Sequence, residues 1–333
     1  AAFNWGQTCE AYFDDARLEL HVDPALPTRG AVAKPPGRII KYGFDTFSPT
    51  RIREALDVRE MEKRPFDGIV MDFLNDAQDS YKGGVFRLDY PLREEAVARE
   101  TRNLEALAGQ WRRFRYNYLM VNSSSTMDWF SDQDWAEVAR RVRTIAQAAK
   151  TGGCKGLGFD PEAYCPGDSW NPWCFPTVIQ HTRGEDFYQM PDAERRALLA
   201  SYQAMVRQRG REFMQAMIGG YGPDLSLFTL IFSTKLSGQL YADDFPQNPW
   251  ALYFSFCQGL VDAAAPETQF IDGCENAYGY TSTLDFNWWR GEVFDKWPAI
   301  ALPEDPDKYR RQLHLGYGIW PKSYFSDPGP GTV

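Results

Sequence analysis

The chain has 333 residues, 44% of them aliphatic, aromatic or cysteine and 24% charged, which excludes collagen-like and disordered classes. Its 36 basic and 45 acidic side chains leave a net charge of −9, which argues against a nucleic-acid partner and against docking on an anionic membrane. No apolar run approaches the roughly 20 residues that would span a bilayer.

Residues 1–37 end in the Pro-rich stretch HVDPALPTRGAVAKPPG and read as an extended N-terminal arm, with 38–333 forming one catalytic domain. No signal peptide is visible, and the opening AAFNW suits a chain that begins after a cleavage point, so a secreted or periplasmic protein is expected. From Arg38 onward, short apolar runs alternate with long amphipathic stretches. The runs are 38–45, 66–73, 115–122, 155–160, 227–233, 269–273 and 314–320. Helical spacing predicts helices over 51–64, 93–113, from Ser131 to Gly152, from Asp192 to Gly219, 249–265 and 284–297. Strand–helix alternation over this length means a parallel sheet with crossover helices, and no GxGxxG or P-loop follows the first strand. The expected fold is a single (β/α)8 barrel of TIM type whose eighth strand is irregular or missing.

In such a barrel, catalytic groups project from the C-terminal strand ends. The first run ends in Asp45, the second in Asp72, the third in Asn122, the fourth in Asp160-Pro161-Glu162, and the sixth in Asp272 with Glu275 and Asn276 beyond. In GLGFDPEAY, strand alternation turns Leu157 and Phe159 toward the helices and Gly156, Gly158, Asp160 and Glu162 inward. The plainer alternatives are an N-cap Asp160 with a surface Glu162, and a salt-bridged turn at 272–276. For Asp45 and Asp72 the alternative is backbone bonding or pairing with Lys41. Asn122 also opens a glycosylation sequon, Asn-Ser-Ser.

Aromatic residues make up 15% of the chain. Trp129, Tyr164, Trp170, Trp173 and Tyr278 fall near the predicted rim, where a saccharide cleft would stack on them. One of Trp288 and Trp289 is expected in helix packing. The six cysteines include no CxxC pair, and His21, His181 and His314 are dispersed, so a zinc ribbon or His-based metal centre is not expected. Cys165 and Cys174 flank a loop containing Gly167 and Pro172. A disulfide closing that loop and six buried thiols are both open readings.

The series KYGFDT, RPFDGIV, GLGFDPEAY, RQRGREFMQAM and IDGCENAYGY resembles a family of secreted bacterial TIM-barrel proteins grouped with glycoside hydrolases. Asp160-Pro161-Glu162 is also similar to the end of the chitinase-like DxxDxDxE motif, although Gly156 and Gly158 replace its earlier acids. Barrel glycosidases with two catalytic Glu residues offer a second similarity, in Glu162 and Glu275. Together these imply a glycoside hydrolase acting on an oligo- or polysaccharide without a cofactor. Glu162 would be the general acid, and Asp160 or Glu275 the ionised partner. Asp45, Asp72, Asn122, Asp272, Asn276 and the rim aromatics would bind the carbohydrate. The alternatives are a carbohydrate-binding barrel without hydrolysis and a metal-dependent sugar isomerase.

Overall fold

The computed structural model describes residues 37–42, 47–74, 84–165, 167–232 and 245–318. Seven strands in this part of the chain form one all-parallel sheet in sequential order. They are β1 (Ile40–Lys41), β2 (Gly68–Asp72), β3 (Tyr118–Asn122), β4 (Gly156–Asp160), β5 (Ser226–Thr229), β6 (Gln269–Asp272) and β7 (Leu313–Leu315). Every one lies in or against a run expected from the sequence. Helices connect them: α1 (Pro49–Ala55), α2 (Val58–Met61), α3 (Glu94–Ala108), α4 (Asp132–Thr151), α5 (Phe175–Arg183), α6 (Asp192–Tyr221), α7 (Tyr253–Ala263), α8 (Thr283–Gly291), α9 (Trp297–Ala301) and α10 (Pro306–Gln312). This is the α/β fold of TIM-barrel type. No eighth strand lies among the described residues, and β1 and β7 are the sheet's two edges there.

The sheet curls. Val70, Tyr118 and Met120 form an inner cluster with Ile40, Phe228 and Ile271 packed on it, so β1, β2, β3, β5 and β6 all point side chains into one interior. The Phe228 ring lies 6.2 Å from Tyr42 and 6.0 Å from Tyr118. Leu157 and Phe159 join the outer core instead, where Phe159 meets Phe213 of α6 and Phe256 of α7. The expected parity of β4 therefore holds. The room beside Gly158 is taken by the Met120 thioether, whose methyl carbon would lie 3.0 Å from an added Cβ.

The helical layer follows ordinary local rules. Ser131 caps α4 by accepting the Asp134 amide at 3.2 Å, while the Asp134 carboxylate accepts the Asp128 amide rather than returning to Ser131. Trp135, Val138, Val142, Ile145, Ala146 and Ala149 are buried along one face of α4. The expected helix at 51–64 is split into α1 and α2, each restarted by its own cap, Ser48 and Asp57. The helix expected over 284–297 breaks at a π turn, Glu292–Lys296, between α8 and α9. Gly210 and Gly259 let α6 and α7 cross closely: an added Cβ would lie 2.3 Å from the Phe256 carbonyl oxygen at one and 2.1 Å from that of Arg207 at the other.

Candidate active site at the barrel mouth

The C-terminal ends of β1 to β4 and β6 bring acids and tyrosines together. Asn122 and Asp160 are register partners on β3 and β4, and Asp72 ends β2 one step away, opposite Met120. Asp160 is 4% exposed. Its Oδ1 accepts the Glu162 amide at 2.9 Å and its Oδ2 accepts the Tyr42 hydroxyl at 3.3 Å. Glu162 follows one turn out and accepts the Tyr164 hydroxyl at 2.9 Å. Glu275 begins a 3-10 turn, Glu275–Gly279, and accepts the Tyr278 hydroxyl at 3.1 Å. The chain reaches this position because Cys274 adopts a left-handed conformation, φ 43°, immediately after β6. Three carboxyl groups thus each hold a tyrosine hydroxyl.

These pairs share one electrostatic environment. Burial raises Asp160 from the usual 3.8 to about 7; the Glu162 amide and Tyr42 hydroxyl oppose the rise, and the charges of Glu162 and Glu275 add to it. Burial pushes the Tyr42 phenol well above its ordinary value, as do Asp160, Tyr164, Asp72 and Glu275. Tyr164 and Tyr278 are raised by burial and then by the same carboxylates. The three phenols therefore keep their protons and act as donors across the neutral range.

Burial favours the protonated form of Asp160, one of the two acids expected to be the ionised partner. Asp272 shares the face of Phe270, in the outer core, rather than that of the inward Ile271. It is fully buried and accepts the Phe232 amide at 3.3 Å and the Cys274 amide at 3.0 Å, shaping the turn that delivers Glu275. Asn276 is exposed on that turn. Asp45 lies outside the described residues. Asn122 is 2% exposed, which keeps its sequon inside the fold.

Two of the five aromatics expected to stack on sugar are core. Trp129 and Trp173 are both 0% exposed, packed with Phe86, Trp135 and Phe256 between sheet and helices. Their loops fold back over the helical layer because each indole N–H finds a loop carbonyl there, Pro172 for Trp129 and Pro161 for Trp173. Trp170 stacks on His181 at 4.6 Å. Trp289 is buried and Trp288 exposed. Only Tyr164 and Tyr278, of the proposed rim aromatics, sit exposed beside the acids. Tyr42 was missed; its signal was alternation with the inward Ile40.

The predicted Cys165–Cys174 disulfide is absent: both thiols are free. Cys165 Sγ donates to the Ala163 carbonyl, and Cys174 Sγ accepts the Thr177 hydroxyl at the start of α5. No group of three or more His, Cys, Asp or Glu among the described residues is arranged to hold a metal ion, and none of their helices is long and apolar enough to cross a membrane. An open groove of about 680 Å³ lies elsewhere, between α6 and α7; its Arg207 and Arg211 pair with Asp262, and no mouth residue lines it.

No family model matches the chain, and no curated protein matches it. Among solved structures the chain is similar to morphinone reductase in complex with tetrahydroNAD, at 13% identity and a TM-score of 0.39, over 85% of this chain and 76% of that one. The expected membership of a secreted glycoside hydrolase family finds no support beyond the barrel itself. The glycoside hydrolase expectation is corrected accordingly: no family model or curated protein supports it, and two of the three indoles meant to bind sugar, Trp129 and Trp173, are core.

Proposed function

We propose that the barrel mouth is a proton-transfer site in which Asp160 exchanges a proton with a bound small polar molecule near neutral pH. The observation that supports this most is the Asp160 carboxyl, buried at a strand end and poised at about 7 beside two less buried carboxyl groups. A general acid or base works best when its ionisation midpoint lies near the working pH. Tyr42 orients the Asp160 carboxyl, and Tyr164 and Tyr278 flank the opening with Glu162 and Glu275 in hand. The described mouth residues are acidic, phenolic or amide, which favours a neutral or cationic ligand over an anion.

Incubation of the protein with a mixture of small polar compounds in D2O tests this. Mass spectrometry should find solvent deuterium at a carbon of at least one neutral or cationic component, with a pH dependence centred near 7. Asp160→Asn should abolish the labelling. Labelling that survives Asp160→Asn, or that is confined to anions, would contradict the reading, as would no labelling across the mixture.

A further inference from the structure

Two side chains, at the end of β3 and two residues past it, hold the segment that carries Glu162 and Tyr164. The Asn122 amide nitrogen donates to the Glu162 carbonyl at 3.0 Å, and its amide oxygen accepts the Ser124 N–H at 2.9 Å. Ser124 Oγ accepts two backbone donors, the Tyr164 N–H at 3.1 Å and the Cys165 N–H at 3.4 Å. Both residues are buried. Their bonds fix the segment at its beginning and its end. Between them the chain is held with the Glu162 N–H turned back onto Asp160 Oδ1.

We infer that Asn122 and Ser124 are positioning residues: they clamp residues 162–165 so that the Glu162 amide stays on the Asp160 carboxyl and both Glu162 and Tyr164 face the mouth. This rests on the reading of Asp160 as the proton-transfer group. The neighbouring Ser123 has a different task. Its hydroxyl accepts the Trp173 indole N–H, which also donates to the Pro161 carbonyl, so Ser123 belongs to the aromatic core.

The clamp has a signature that packing alone lacks. The Glu162 N–H stabilises ionised Asp160 more than the Glu162 charge destabilises it. Letting the segment drift removes both effects, and the larger one was holding the midpoint down. With the segment still covering Asp160, so that its burial is unchanged, losing the larger of the two raises the midpoint. The other groups facing Asp160 are Tyr42 from beyond β1, Tyr164 from its own loop, and Glu275 and Tyr278 from beyond β6; Asp72 of β2 acts on Tyr42. Of these only Tyr164 is touched by substitution at Ser124, through its own N–H.

Carbon-detected NMR titration of the full chain, with Asp160 assigned by the signal lost in Asp160→Asn, tests the clamp. Ser124→Ala and Asn122→Ala should each raise the Asp160 midpoint by about half to one unit, a roughly three- to tenfold change in proton affinity. Ser123→Ala should leave it unmoved. A wild-type midpoint in Ser124→Ala, or an equal shift in Ser123→Ala, would overturn the inference. Should the clamp variants fail to fold, the native protein still decides: the Glu162 amide proton must follow the Asp160 titration, and an amide indifferent to it contradicts the clamp. A native midpoint far from 7 would instead count against the proton-transfer reading, and the direction of the variant shift would still judge the clamp.

Discussion

Tyr42, just beyond β1, donates its hydroxyl to Asp160 at the end of β4, 3.3 Å away. Three strand spacings in a flat sheet would separate these residues by about 14 Å. The bond therefore exists only because the sheet curls, and it ties the ionisation of the buried acid to barrel closure. Asp160 gains a donor from a strand that is distant in the sheet and an amide from its own loop, with little water to share the charge.

Tyr42→Phe removes that donor while keeping the ring on Phe228. The ionised form of Asp160 loses a bond and the neutral form loses less. The Asp160 midpoint should rise by about one unit, read by carboxyl infrared or NMR titration. A fall, or no change, would mean that the hydroxyl does not support the carboxylate.

The raised Asp160 also predicts how stability depends on pH. Between 3.8 and about 7 the unfolded chain has lost this proton while the folded chain keeps it. The folded state binds more protons, so this group's contribution is fully present below 3.8 and is lost as pH rises through about 7. A shift of this size corresponds to something on the order of 4 kcal/mol. Asp160→Asn should match the wild type in denaturant unfolding near pH 4 and exceed it increasingly toward pH 8. A constant difference between the two proteins across that range would contradict the burial of the charge.

All seven strands were legible because each is a short apolar run bounded by turn residues, and β4 parity followed from simple alternation. The capping serine of α4 was legible for the same local reason. What the residues could not announce was which loops fold back. Trp129 and Trp173 sit in polar sequence, Trp173 beside Pro172, like rim residues, yet long-range contacts with Phe86 and Phe256 take them into the core. Asp272 looked like another rim acid, but its face is decided by a register in which it pairs with Thr229. The raised ionisation of Asp160 depends on burial, which no spacing encodes.

Trp173→Ala therefore tests packing rather than binding. Removing a fully buried indole should cost about 3–5 kcal/mol of unfolding free energy. An alanine variant of unchanged stability would put this side chain back in an open cleft.

Gly210→Ala tests the crossing of α6 and α7. The new methyl would meet the Phe256 carbonyl oxygen at 2.3 Å, and backbone cannot step aside as a flexible side chain would. Overpacking of this kind typically costs about 1–3 kcal/mol, against the roughly 0.5–1 kcal/mol that helix propensity alone would return in favour of alanine. Chemical denaturation should show a net loss, and a net gain would mean that the helices do not approach this closely.

The most direct measurement is the ionisation of Asp160 itself in the native chain, by site-resolved titration of its carboxyl carbon with Asp160→Asn as the blank. The expected midpoint is about 7, far above the ordinary 3.8. A midpoint near 3.8 would contradict it, because an acid fully ionised at neutral pH would hold no proton to give a ligand at the barrel mouth and would be poorly matched to take one.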